Sequence, residues 1–251
     1  MSQGHVLTRE PAAGVREIEF FHPQHNSMPS NVLADLVSAI DEAGADDSVQ
    51  VVIIKSGGER TFCAGASFEE LIAVQDEVQG KKFFSGFASV INACRKCPKF
   101  VIGRVQGKAV GGGVGLAAAF DYTMATKFAS VKLSELNIGI GPFVIGPAVE
   151  RKIGVSAFSQ LSVNANAFQT AEWARSKGLY TEVFESAEEL DEAVLNLAIY
   201  LTGTNPEAMR ELKRIFWEGT DHWDELLDQR AAMSGTLVLS EQTRAMLAKY
   251  A

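Results

Sequence analysis

Thr61-Phe62-Cys63-Ala64-Gly65-Ala66-Ser67 and Gly107-Lys108-Ala109-Val110-Gly111-Gly112-Gly113-Val114-Gly115-Leu116 decide the reading of this chain. Each stretch reads as a strand that ends, turns on glycine or alanine, and opens a helix. Such a turn leaves backbone N–H groups unsatisfied at a helix N-terminus, aimed at one spot. Two such turns face to face would hold a developing oxyanion between two amides. A carboxylate, Glu135, follows at a spacing that could place it over the same spot. The combination implies an enzyme that stabilises an enolate.

Working outward, Val15 to Phe21 alternates as Val-Arg-Glu-Ile-Glu-Phe-Phe and predicts an early strand, ended by Pro23 and His25-Asn26-Ser27. Ser30-Asn31 can cap a helix with Val32, Leu33, Leu36, Val37 and Ile40 on one face. Val49 to Lys55 is a near-continuous apolar strand of the kind buried on both faces. A helix is predicted over about Gly80 to Cys94, a strand over Phe100 to Val105 after the break at Pro98, and an Ala-rich helix over Leu116 to Phe120. Short strands at Asp121 to Ala125 and Val131 to Leu133 lead into Ser134-Glu135. Beyond the Gly/Pro-rich loop 139–147, helices are predicted at about 147–153, 155–163, 170–177, 187–203, 206–219 and 223–239. The repeated strand–helix–strand order predicts an α/β fold with largely parallel strands and a helical C-terminal part. The expected division is a core carrying the site over 1–190 and a helical region for subunit contacts over 191–251.

The 251 residues are 47% hydrophobic and carry a net charge of -8, which fits a globular enzyme and argues against a nucleic-acid partner. Arg95, Lys96, Lys99, Arg104 and Lys108 read as solvated positions. Cys63, Cys94 and Cys97 are few and odd in number, as in a reducing compartment, and the lone Cys94-Arg95-Lys96-Cys97 pair lacks a second pair or a His cluster at zinc spacing. No metal is expected. The N-terminal residues lack a basic-then-apolar signal and no apolar run reaches the length of a membrane span, so a cytoplasmic location and no membrane partner are expected. His5, His22, His25 and His222 show no ligand or triad spacing, and Trp173, Trp217 and Trp223 lie on helical stretches as core or interface residues.

Gly111-Gly112-Gly113 fits neither the dinucleotide fingerprint nor the Walker A spacing. With Thr61–Ser67, Val105–Leu116 followed by Asp121, and Leu133-Ser134-Glu135-Leu136-Asn137-Ile138-Gly139-Ile140-Gly141-Pro142, the chain resembles the crotonase (enoyl-CoA hydratase/isomerase) superfamily over about Val15 to Phe184. The resemblance implies the crotonase (ClpP-like) fold of repeated ββα units. It implies that the amides of Ala66 and Gly112 form an oxyanion hole for an acyl-CoA thioester carbonyl. Glu135 matches the second of two family glutamates, an acid/base. Ala64, Gly111 and Phe143 are expected to line the substrate site, with Phe143 reshaping the acyl pocket. The implied partner is an acyl-CoA substrate, with no other cofactor, and the implied assembly is a homotrimer or dimer of trimers.

Gly115 departs from the pattern, standing where two-glutamate hydratases have their first glutamate, and Ser67 stands where the family commonly has Asp. The Gly-Gly-Gly-Val-Gly-Leu and Leu-Ser-Glu pairing is similar to the methylglutaconyl-CoA hydratase branch. The expected activity is hydration of a 2-enoyl-CoA with Glu135 as the single acid/base. The alternatives are double-bond isomerisation, in which one carboxylate suffices to shuttle a proton between C4 and C2, glutaconyl-type decarboxylation, and a non-catalytic acyl-CoA binder.

Overall fold

A computed structural model describes residues 4–249. Its framework is a six-stranded sheet in the order β1-β2-β3-β5-β7-β9, formed by β1 (His5–Ala12), β2 (Val15–Phe21), β3 (Val51–Ser56), β5 (Phe100–Val105), β7 (Tyr122–Thr126) and β9 (Glu182–Phe184). β1 runs antiparallel to β2, and every other pairing is parallel. A second, three-stranded parallel sheet takes β4 (Thr61–Cys63), β6 (Lys108–Val110) and β8 (Val131–Lys132).

The two sheets are woven by one repeated unit. A long strand of the first sheet is followed by a short strand of the second, and then by helix. β3 and β4 lead to α2 (Phe68–Ala73) and α3 (Glu77–Lys96), β5 and β6 lead to α4 (Gly112–Ala119), and β7 and β8 lead to a 3₁₀ turn (Glu135–Ile138) and α5 (Gly146–Val163). This is the expected crotonase arrangement of ββα units. α1 (Ser30–Ala45) crosses between β2 and β3, and α6 (Ala171–Ser176) precedes β9. α7 (Ala187–Thr202), α8 (Pro206–Phe216), α9 (Trp223–Leu237) and α10 (Glu241–Leu247) complete the chain.

The central strands are apolar on both sides because both faces are covered. Ile18, Val52, Ile54 and Val101 join the large cluster shared with α1, α3, α4 and α5. Val15, Val51, Ile53 and Ile102 face Leu190, Val194 and Ala198 of α7. α4 has no polar side chain and Gly113 to Ala119 are all buried, which is why it reads as an uninterrupted small-residue run. Several boundaries differ from the sequence expectation. α4 starts at Gly112 rather than Leu116, and β1 and β9 had no sequence signal, whereas the two helices expected over 147–153 and 155–163 are present as the two arms of α5, which breaks at Gly154 (φ 73°). Ser30 does not cap α1. Its N–H and hydroxyl both donate to the Glu70 carboxylate, which ties α1 to α2 at the edge of the site.

Two of the basic positions expected to be solvated are buried in ion pairs. Arg104 is 6% exposed and grips both carboxylate oxygens of Asp191, at 2.7 and 3.1 Å. The Arg95 side chain is 7% exposed and meets Asp224 at 3.2 Å. A third pair anchors the C-terminal helices. Asp121 accepts from Lys213 Nζ at 2.5 Å, from Trp217 Nε1 at 2.9 Å and from the Val101 N–H at 2.8 Å. Trp217 and Trp223 are buried there in an edge-to-face pair. Cys94 and Cys97 are buried free thiols, and among the described residues no group of three or more His, Cys, Asp and Glu could hold a metal ion. No described helix is long and apolar enough to cross a membrane.

Candidate active site

The C-terminal ends of β4, β6 and β8 lie side by side, and each unit delivers one functional segment at that edge. Cys63 leads to Ala64-Gly65-Ala66, Val110 to Gly111-Gly112, and Lys132 to Leu133-Ser134-Glu135. Loops beyond the carboxyl ends of parallel strands are the usual place for a ligand.

The first two segments pack directly on one another. Gly65 has φ 93°, and a Cβ there would stand 3.2 Å from Val110 O and 3.6 Å from Gly112 N. Gly111 has φ 53°, and a Cβ there would stand 3.0 Å from Glu135 Oε1. Both positions therefore favour glycine for the backbone angle, and Gly65 also for its close approach to the Val110 backbone. Met28 closes the first turn from outside, donating its N–H to Gly65 O and accepting from Ser67 N–H. This bridge turns the intervening Ala66 N–H away from Met28. Neither the Ala66 nor the Gly112 N–H donates to another described backbone or side chain. Gly112 is also the first residue of α4, so the positive end of that helix points at the same place. Two free amides on facing turns can bind one oxygen that gains negative charge.

Glu135 opens the 3₁₀ turn beside Gly111. The residue borders the open cavity, yet its Oε2 is wholly buried and has no hydrogen-bond partner among the described residues. Burial pushes the carboxyl up from 4.5 to about 7, against the opposing pull of the Ser134 and Glu135 backbone N–H groups. A carboxyl group near neutrality exchanges protons in both directions at neutral pH.

A cavity of about 290 Å³ lies beneath the turns. All six residues singled out from the sequence line it: Ala64, Ala66, Gly111, Gly112, Glu135 and Phe143. Its wall is mostly aromatic and aliphatic, with Phe83, Phe84 and Phe87 from α3 and Ile138, Ile140 and Ile145 from the segment after Glu135. The Phe143 ring folds back over Gly141, where a Cβ would meet it at 2.5 Å. Glu135 is the one carboxylate and Lys132 the one cationic residue among the described lining, and the Lys132 ammonium sits 4.7 Å over the Phe168 ring. Asn137 spends its amide on Ala165 O, and Ser234, contributed by α9, donates its hydroxyl to Arg230 O. α10 then fastens both rims of the cavity, with Thr243 Oγ1 donating to Gly139 O and Arg244 to Val74 O.

Sequence reasoning missed three contributors. The α3 phenylalanines carried only a helical signal, Ser234 arrives from a distant helix, and Ile145 fills the space over Gly115. A Cβ at Gly115 would meet Ile145 Cγ2 at 2.4 Å and Cβ at 2.5 Å. The position of the absent glutamate is thus a closed, apolar contact. His25 lies in a separate open pocket with His22, Asn26 and Arg60.

The sequence model of the enoyl-CoA hydratase/isomerase family matches residues 10–248. The chain belongs to the enoyl-CoA hydratase/isomerase family. It is 31% identical over 229 residues to the mitochondrial methylglutaconyl-CoA hydratase of Mus musculus, covering 89% of this chain and 72% of that protein. It is 23% identical over 253 residues to the peroxisomal Delta(3,5)-Delta(2,4)-dienoyl-CoA isomerase of Arabidopsis thaliana, covering 94% and 89%. The crystal structure of an enoyl-CoA hydratase from Bacillus halodurans superposes with a TM-score of 0.89 at 21% identity, over 97% of this chain and 99% of that one. The crotonase fold and an enzyme of this family, both expected from the motifs, are therefore established, and hydratases and isomerases stand among its relatives.

Proposed function

We propose that this family member is an enoyl-CoA isomerase that moves a double bond between C3 and C2 of an acyl-CoA thioester, with Glu135 as its only proton carrier. The Ala66 and Gly112 amides would hold the thioester oxygen. Glu135 as carboxylate takes a proton from C2 of a 3-enoyl-CoA, the negative charge spreads over C4, C2 and the held oxygen, and the same carboxyl returns the proton at C4. The product is the conjugated 2-enoyl-CoA, with no atom gained or lost. Oxyanion contacts of this kind supply several kcal/mol at the enolate, and a single base completes the cycle.

The observation that carries this choice is Ile145 over Gly115. Hydration needs a water molecule positioned beside the double bond, and the described cavity wall offers no second carboxylate to hold one. The acyl group that suits the wall is uncharged, because a second carboxylate on the substrate would be desolvated among phenylalanines. Hydration of a methylglutaconyl-type thioester is the second reading, favoured by the 31% identity to the mouse hydratase and by Lys132 at the cavity wall.

The test uses purified protein with a 3-enoyl-CoA, crotonyl-CoA and 3-methylglutaconyl-CoA in heavy-oxygen water, with Glu135→Gln as control. A product of unchanged mass with a moved double bond, absent with the variant, is the expected result. Heavy oxygen in the product would establish hydration in its place, and loss of carbon dioxide would establish decarboxylation.

A further inference from the structure

Glu135 and Ile145 come from different segments but meet the same helix. Oε1 of Glu135 stands at the Gly111 backbone, 3.0 Å from the site of a Cβ, and Ile145 stands at Gly115, 2.4 Å from the site of a Cβ. The Gly115 N–H donates to Gly111 O at 3.3 Å, so the two glycines lie one turn apart. Gly111 is the non-helical N-cap of α4 and Gly115 lies in its first turn, about 6 Å further along the axis. The carboxylate therefore meets the start of α4 at Gly111, and the isoleucine meets it one turn further on at Gly115. Both groups also border the cavity.

Ile145 is held firmly in that place. It is 4% exposed and belongs to the main hydrophobic cluster. Its carbonyl accepts the Val149 N–H at 3.1 Å in the first turn of α5. Its β-branch presses on the Gly115 backbone, so neither partner can carry another atom at this contact. Oε2 of Glu135 is a buried oxygen with no partner among the described residues. An unpartnered carboxylate oxygen is what a water molecule would bind if there were room for one.

We infer that Ile145 is the residue that sets the outcome of the reaction: its side chain fills the space over Gly115, one turn along α4 from the Glu135 contact, where an attacking water would have to be held, so the proton on Glu135 returns to the acyl chain and the double bond migrates without being hydrated. Ile145 touches no reacting atom in this account. It is a positioning residue that acts through what it excludes. The inference deepens the isomerase proposal and rests on Glu135 being the proton carrier. It also gives the glycine at 115 a role of its own, since only a residue without Cβ lets the isoleucine close over the helix.

The experiment compares the wild-type protein with Ile145→Ala and Ile145→Val, each verified by thermal melting, on a 3-enoyl-CoA and on the matching 2-enoyl-CoA in heavy-oxygen water. The quantity read is the ratio of hydrated to isomerised product, which does not depend on the fraction of active protein. Ile145→Ala should raise the ratio by about tenfold or more, the change expected when one ordered water gains access to a buried polar group worth about 1.4 kcal/mol or more. Ile145→Val, which keeps the β-branch, should raise it far less. The acid limb of the isomerisation pH profile should move to lower pH in Ile145→Ala, because a solvated Glu135 loses its proton more readily. A folded Ile145→Ala protein with an unchanged product ratio and an unchanged pH profile would overturn the role of Ile145 while leaving the isomerase proposal intact. Wild-type protein that already hydrates faster than it isomerises would overturn the proposal and the inference together. The wild-type arm and the variant-to-wild-type comparison thus report on the two claims separately.

Discussion

Replacing Glu135 by Gln gives a direct reading of how strongly the site disfavours a charge. In the folded protein the carboxyl titrates at about 7, against 4.5 for the ordinary group. The unfolded chain therefore loses this proton first as pH rises, and between the two values it binds fewer protons than the folded protein. Stability must then fall with increasing pH across that window, and this contribution is fully present below 4.5 and lost by the time pH passes 7. One pH unit corresponds to about 1.4 kcal/mol for a single proton, so the span from pH 5 to pH 8 is worth about 2 to 3 kcal/mol. Glutamine has the same shape and no titration. Denaturant unfolding of both proteins across this range should show Glu135→Gln gaining about 2 to 3 kcal/mol relative to wild type as pH rises, with the gain levelling off above neutrality. On the proposed mechanism the same titration should govern isomerisation, because the carboxylate is the form that would take the proton. Log kcat/KM should rise with unit slope below about 7 and flatten above it. A stability difference that stays constant from pH 5 to pH 8 would mean that Glu135 titrates normally, and the reasoning from its buried, unpartnered oxygen would fail.

Gly111→Ala should cost about 1 to 3 kcal/mol in chemical denaturation, because its φ of 53° disfavours a side chain and the new methyl would stand 3.0 Å from Glu135 Oε1; activity should fall with it as the carboxylate is displaced. Gly115→Ala should destabilise by about 1 to 3 kcal/mol through overpacking on Ile145, and Ile145→Gly in the same chain should recover part of that loss, so a double-mutant cycle read by thermal melting should show favourable coupling. Asp121→Asn leaves Lys213 as a buried cation without its charge partner and should lower stability by about 3 to 5 kcal/mol, measured by urea unfolding at neutral pH, with little change in KM because the pair lies outside the cavity lining.

The features legible in the sequence are those set by backbone constraints. A glycine with positive φ leaves a mark at one position, as Gly65 does against the Val110 backbone and Gly111 beneath the Glu135 carboxylate. β3 and β5 were legible because a parallel strand covered on both faces becomes an apolar run. β1 was not, because it is an edge strand exposed along most of its length, and its alternation is broken by Pro11 at a bulge. β9 has three residues, and pairing with β7 decides it rather than composition. The expected solvation of Arg95 and Arg104 failed because their partners, Asp224 and Asp191, lie 129 and 87 residues further on. Ile145 was invisible for the same reason. Nothing local distinguishes it from any core isoleucine, and its importance lies in the closing of the 141–145 segment onto a helix that starts 33 residues before it.

The repeated ββα unit explains why so much of the site could be found from three short motifs. Each unit ends its short strand at the same edge, so three segments far apart in sequence are brought together by register alone: β4 on β6 and β6 on β8. Two of these ends supply bare amides and need residues with no bulk, and the third supplies a carboxylate. The division of labour is physical. Amides on rigid turns would stay aimed at the oxygen whether or not it carries charge, so an enolate formed there, as proposed, would need no reorganisation. A carboxylate that shuttles a proton has a different requirement, since it must be nearly as comfortable protonated as ionised. Glu135 fits that requirement, with one oxygen buried and unpartnered among the described residues, at a cavity walled largely by phenylalanine and isoleucine. An additional donor or a water at this place would stabilise the carboxylate and pull its titration back toward the ordinary range. In the proposed isomerase, burial of one Glu135 oxygen would raise its affinity for the proton, while Ile145 packed on Gly115 would deny hydration its place.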